Sequence, residues 1–221
     1  MKYAIKIKPV LLPENLDYCS DFFGYSKECY ETKENIHDVK FLDNDLEGCD
    51  FSRSDFENIH FYNCRFTESS FERCSFTNVL FDSCSFINCD FSNSWFSQCS
   101  FSNSQYKGSN FCNTSFVDIM MNDNNMRYAN FTSSNFDKCE ITSTDMTDTF
   151  FADCKLNSII LSKSQFVRTE FFHTSLSGID FSTCNLEGIC ISEDGKELKG
   201  VIVNSVQACE LSKILGLIIK D

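Results

Sequence analysis

Basic residues are scarce in this chain: 19 Lys and Arg stand against 32 Asp and Glu, a formal charge of −13. That deficit argues against passive binding to nucleic acid or anionic membrane and favours a basic partner. Glycine is also sparse, with eight scattered residues and no glycine-rich phosphate loop. Only three histidines occur, His37, His60 and His173, and no Cys-x-x-Cys pair exists, so no metal site of the usual spacing is expected. No run approaches the ~20 apolar residues that span a bilayer. The N-terminal Met1-Lys2-Tyr3-Ala4-Ile5-Lys6-Ile7-Lys8 lacks the apolar core of an export signal. Neither membrane contact nor a cofactor is expected, and the expected compartment is the cytoplasm.

Against two Pro and one Trp stand 24 Phe, an excess that points to repetition. Starting at Ile36, every fifth residue is apolar through Phe41, Leu46 and Phe51 to Phe181, Leu186 and Ile191. These are 32 successive positions, and 20 of the 24 Phe lie on them. Two residues before each runs a column of mostly small residues, such as Ser54, Cys64, Ser69, Cys74, Cys84 and Cys89. Nine of the fourteen Cys fall in it, so they read as buried, inert thiols. Cys64 and Cys84 become vertical neighbours, within disulfide reach, yet a reducing cytoplasm predicts free thiols.

A period of five fits neither a helix nor a simple strand. It fits a chain that turns a corner every five residues, with one large and one small side chain pointing inward. Such units cannot bury their inner face alone and must stack.

Cys89-Asp90-Phe91-Ser92-Asn93, Ala129-Asn130-Phe131-Thr132-Ser133 and Cys184-Asn185-Leu186-Glu187-Gly188 resemble the units of the pentapeptide-repeat family. The resemblance implies an all-β fold, a right-handed quadrilateral β-helix with four units per coil. Its about eight coils would make a rod roughly 38 Å long at the usual strand spacing. Residues 1–35 break the pattern and read as an N-terminal cap, 36–195 as the β-helix, and 196–221 as a C-terminal cap and dimerisation segment. Tyr3, Ile5 and Ile7 suggest a short strand before Pro9. Met121 and Met126 interrupt the ring stack around the polar Asn122-Asp123-Asn124-Asn125, where the rod is expected to be softest. Glu193-Asp194-Gly195 reads as a turn. Asn204 or Ser205 could cap a helix ended by Gly216, and Leu217-Ile218-Ile219 reads as a short strand.

The end segments narrow the match. Leu198-Lys199-Gly200-Val201-Ile202-Val203 and Leu176-Ser177-Gly178-Ile179-Asp180-Phe181 resemble Qnr-type proteins, and Pro13-Glu14-Asn15-Leu16 is similar to their Gram-positive chromosomal members. That resemblance implies a homodimer joined through the C-terminal segment, forming an acidic rod that mimics DNA and makes no direct nucleic-acid contact. Its partners would be DNA gyrase and topoisomerase IV, protected from quinolones. The dimer contacts would fall on Leu211, Ile214, Leu215, Leu217 and Ile218. The acidic patches expected to meet the partner are Asp45 and Glu47, Asp55 and Glu57, Asp82, Asp90, and Asp145 with Asp148. Loops interrupt the coils of Gram-negative members, whereas the five-residue phase here never slips. A general protein-binding scaffold is the alternative, and a filled rod without a pocket leaves little room for catalysis.

Overall fold

A computed structural model describes residues 5–214 and 216–220. The corners expected from the five-residue period are built by the backbone. Two residues after nearly every inward residue the chain takes a positive φ, as at Asn58, Asn78, Ser83, Asn93 and Asp123. Asn, Asp and Ser recur at these corners because their short polar side chains tolerate the left-handed region. At Gly108, φ 70°, a Cβ would also meet the Asn88 side-chain oxygen, so a larger residue there would have to displace Asn88. The short strands between corners pair in parallel with a register of 20 residues, as in Phe56↔Phe76 and Phe61↔Phe81. Each inward column therefore has eight members, as in Ile36, Phe56, Phe76, Phe96, Phe116, Phe136, Leu156 and Leu176. The result is a parallel β-helix of about seven turns.

Inside, the rings stack almost face to face. Phe71, Phe91, Phe111 and Phe131 follow one another at 5.0, 4.9 and 5.0 Å with interplanar angles of 4–7°. The strand spacing dictates this, since rings carried one coil apart meet at close to van der Waals distance. Tyr106 takes a place in the ladder over Phe86, fully buried, and its hydroxyl has no hydrogen-bond partner. The neighbouring Ser104 hydroxyl is committed to Ser102 O and Cys84 N–H. A Tyr106→Phe substitution is expected to raise unfolding free energy by about 1 kcal/mol, the cost of an orphaned hydroxyl, measurable as a higher urea midpoint.

The second inward column is a hydrogen-bond ladder as well as a small-residue column. Ser94 Oγ accepts from Cys74 N–H and donates to Phe71 O; Ser134 Oγ does the same for Thr114 N–H and Phe111 O. Asn124 fills the same place, accepting from Ser104 N–H and donating to Phe101 O. The segment expected to be softest is therefore hydrogen-bonded into the same ladder as its neighbours. Met121 and Met126 are buried, and the polar run is tied into the ladder with its register intact.

His60 points outward, half-buried beside Lys40, and its Nε2 has no partner. Burial, with the Lys40 charge, pushes its pKa down to about 4. A depressed folded-state value means that the unfolded chain binds the proton more readily. Stability is therefore complete above about pH 6.5 and is lost as pH falls toward 4. His60→Leu should flatten this slope by about 1 kcal/mol, allowing for solvent screening of a half-exposed ring, in urea titrations at pH 7.5 and 4.5.

The N-terminal cap differs from its sequence reading. Residues 5–13 carry no strand; Tyr3 lies outside the described residues. They form a strap along one corner of the rod, where Lys8 N–H donates to Asp118 Oδ1, Leu11 N–H donates to Asn78 Oδ1, and Asn78 Nδ2 donates to Leu11 O. The strand is Asp17–Cys19, paired with Val39–Phe41, and a helix follows, α1 (Phe22–Thr32). Asp21 caps this helix through Gly24 N–H, and Phe22 plugs the rod end, 4.6 Å from the rings of both Phe41 and Phe51. A single buried ring decides this packing, so no periodicity announces it.

At the other end Gly195 turns the chain as expected, and residues 197–202 pair over the last coil through Leu176 N–H to Glu197 O and Phe181 N–H to Ile202 O. The helix α2 (Ser205–Ile214) follows, capped reciprocally by Asn204 and Gln207. Gln207 Nε2 also donates to Phe181 O and Cys184 O, sealing the backbone of the last coil. Gly216, at φ 79°, ends the helix. Leu217-Ile218-Ile219 does not form the expected strand and pairs with no strand among the described residues.

The ladder does open, at a different place from the one expected. The strand Lys155–Ser162 pairs with Asn135–Thr142 on one side only, and among the described residues no bridge joins it to residues 175–182. On the opposite walls the same two coils stay paired, through Gln165↔Asn185 and Glu170↔Cys190. Two causes coincide. Leu156 replaces the ring that its column carries from Phe56 to Phe136, and the corner at Thr183 lacks the left-handed φ found at Asn63, Ser83 and Asn103. A β-branched residue resists that conformation. Phe181 has Leu161 below it in its own column and meets Phe166 of the adjacent wall edge-on at 78°.

Candidate partner-binding surface

The exterior has four walls, and the coil register assigns every charge to one of them. The wall carrying Asp45, Arg65, Asn125 and Asp145 in one column is internally neutralised. Arg65 binds Asp45 at 2.6 Å, and Arg127 lies 3.8 Å from Asp145 and 3.7 Å from Asp148. Arg168 grips Asp148 through two bonds of 2.7 and 2.8 Å, which hold its carboxyl below the usual range. Asp45, Asp145 and Asp148 thus face solvent as halves of ion pairs, while Glu47 on the same wall is exposed.

Asp90 is engaged differently. Its Oδ1 accepts Ser92 N–H and Asn110 Nδ2–H, the local turn that Asp and Asn favour. Asp82 sits on a further wall and accepts the Ser83 hydroxyl at 2.9 Å.

Asp55 and Glu57 belong to the wall whose inward column runs from Ile36 to Leu176, and both are exposed. Going up this wall, the residues beside each ring are Ser75 and Thr77, Trp95 and Ser97, Ser115 and Val117, then Asn135 and Asp137. Its corner positions add Asp38, whereas Asp118 is buried under the strap and accepts Lys8 N–H; no Lys or Arg occurs among its repeat positions before Lys138. Bonds from Asn58 and His37 hold the Asp38 carboxyl low, so it stays charged. Trp95, 47 % exposed, stands in the middle of this stripe. The stripe brings Asp55 and Glu57 together with Asp137 and Trp95, two residues that were not singled out as acidic-patch members. Only the 20-residue register aligns them, since Glu57 and Asp137 are four coils apart in the chain.

Several other chemistries have no seat on this surface. All fourteen cysteines are free, and burial pushes the thiols of Cys74, Cys89, Cys99, Cys139 and Cys154 up to about 12, far from a reactive thiolate. Among the described residues no cluster of His, Cys, Asp or Glu has the makings of a metal site, and no helix is long and apolar enough to cross a membrane.

At the C-terminal end the residues expected to join two copies divide. Leu211 is buried in the rod's own core, and Leu215 lies outside the described residues. Ile214, Leu217 and Ile218 are exposed, Ile218 at 90 %. Helix α2 therefore spends one apolar face on sealing the rod and leaves another uncovered.

Two family models match the sequence: one described as a pentapeptide repeat region, over residues 34–111 and 89–166, and one described as pentapeptide repeats (8 copies), over 151–188. No curated protein matches the chain. Among solved structures, a trypsin-treated form of QnrB1, described as a plasmid-mediated fluoroquinolone resistance protein, is similar at 20 % identity and a TM-score of 0.47 over 82 % of this chain and 90 % of that one. HetL from the cyanobacterium Nostoc sp. strain PCC 7120, described as a pentapeptide repeat protein involved in heterocyst differentiation regulation, is similar at 10 % identity and a TM-score of 0.26 over 81 % and 98 % of the two chains.

Proposed function

The chain belongs to the pentapeptide-repeat family, and from that premise we propose that it is a cytoplasmic binding protein whose acidic wall occupies a basic, DNA-accepting channel on DNA gyrase and topoisomerase IV and so protects them from quinolones. The observation that carries this reading is the stripe from Asp38 and Asp55 to Asp137, whose repeat positions hold no Lys or Arg over five coils, the strap that brings Lys8 to its corner being the one basic segment against it. B-DNA presents a charge about every 1.7 Å of its axis to channels lined by Lys and Arg. A straight rod with carboxylates along one wall offers the same sign of charge in the same extended form. The motifs at Leu176–Phe181 and Leu198–Val203, on which the Qnr-type resemblance rests, lie on one another through Phe181 N–H and Ile202 O.

The test is gyrase supercoiling with ciprofloxacin, with and without the purified protein, at two salt concentrations. Restored supercoiling that fades at high salt is expected; absence of both protection and gyrase binding would remove the reading. The neutralised wall at Asp45, Asp145 and Asp148 favours a second reading, a scaffold for a different partner. It predicts no competition with DNA for gyrase.

Self-association through the C-terminal end accompanies this reading, since exposed apolar groups at Ile214, Leu217 and Ile218 call for cover. Ile214→Asp should yield monomers in sedimentation at unchanged thermal stability, because that side chain is outside the rod core. A dimer that survives the change would count against the helix as the joint.

A further inference from the structure

Trp95, the only tryptophan of the chain, stands 47 % exposed on the strand Trp95–Ser97, although indole is a side chain that folding usually buries for the most part. The coil register places Ser75 directly below it and Ser115 directly above. The column alongside runs Thr77, Ser97 and Val117, all half-buried. None of these side chains is long enough to cover an indole. Among the described residues Trp95 has no ring neighbour, no cation over its ring and no hydrogen bond to its side chain. The charges of the wall lie farther out. Asp55 and Glu57 sit two coils below Trp95 and Asp137 two coils above, each displaced by about 10 Å along the rod at the usual strand spacing. Arg73, at the corner one coil below, is engaged by Glu72 at 3.3 Å, and Lys8 is bonded at the wall's other corner.

One large aromatic at the centre, small groups around it that a partner can press against, and charges at the rim make up the layout of a binding hot spot. An indole with an open face attracts a cation, and a guanidinium suits it better than an ammonium. The planar group stacks on the ring, is more weakly hydrated, and sets its charge against the negative face. We propose that Trp95 anchors the acidic wall by receiving an arginine side chain of the basic partner, stacked on the indole. Further Lys or Arg about 10 Å to either side of that arginine would meet Asp55, Glu57 and Asp137. The inference rests on the reading of this wall as the surface for a basic partner, and it adds what selects that partner. Carboxylates attract any cation, whereas the indole favours arginine over lysine.

Because Trp95 is the sole tryptophan, its emission reports on this one spot in the full, unlabelled chain. The probes are octa-arginine, octa-lysine and intact DNA gyrase, with peptide affinities read by anisotropy of a labelled peptide. Octa-arginine should change the emission saturably and bind at least threefold tighter than octa-lysine. Trp95→Ala should weaken octa-arginine about fivefold, erase the preference over octa-lysine and weaken gyrase at least tenfold. Trp95→Phe should keep part of each effect. The urea midpoint should stay unchanged in both variants, since the side chain lies outside the core. An emission unmoved by saturating octa-arginine overturns the proposal, as does a Trp95→Ala chain that still prefers octa-arginine as the native one does. Gyrase that binds native and Trp95→Ala chains equally, while both peptides behave as expected, overturns the anchor for that partner alone. Gyrase that binds neither chain removes the gyrase reading, and the peptide preference then decides the anchor by itself.

Discussion

Phe91→Ala is expected to remove about 3–5 kcal/mol of stability, a large share of what a single domain has. Phe91 lies in the longest unbroken ring column, 5.0 Å from Phe71 and 4.9 Å from Phe111, with Phe86 at 5.4 Å from a neighbouring wall. Removal leaves a void that cannot collapse, because the coils above and below are fixed at strand spacing by the paired backbone. Urea unfolding measures the loss. Leu156→Ala, at the open seam, should cost much less, since that side chain is already partly exposed and its removal creates a cleft that water can enter. Equal losses at the two positions would contradict the account of the seam.

Reversing charge on the acidic stripe is the second large effect. A triple variant Asp55→Lys, Glu57→Lys and Asp137→Lys changes the wall by six charges while touching only exposed or half-buried positions. Gyrase protection should fall by roughly tenfold or more, with most of the loss in association rate and at low salt. The control is Asp45→Lys with Asp145→Lys on the neutralised wall. Those carboxylates are already paired with Arg65 and Arg127, so protection should change little. If the control loses as much as the stripe variant, net charge alone governs binding and the stripe is not the site. Folding should survive in both, checked by unchanged urea midpoints, because exposed ion pairs contribute at most about 1 kcal/mol.

Much of the fold was legible in the chain because a repeat makes each residue's fate a matter of phase. The ring at Phe91 and the serine at Ser94 are inward for the same reason as every residue five positions away. The corners were implied by that period, and Asn, Asp and Ser at φ near 55° show how the backbone meets it. Composition and charge marked the molecule as an acidic surface. The grouping of carboxylates was less legible. Asp90 reads as a surface acid, yet it closes a turn, and Asp148 reads as a free charge, yet Arg168 holds it from one coil away.

What the sequence determined by itself is therefore the periodic part: the inward columns, the coil length and the sign of the exterior. These depend on residues at fixed spacing, and spacing is visible in one dimension. Tertiary structure alone decided the plug by Phe22, the strap from Lys8 to Leu11, the pairing of charges across coils and the opening beside Lys155–Ser162. Each of these depends on which groups meet at distances of a few ångströms across 20 or more residues of chain. A local pattern carries no record of such meetings.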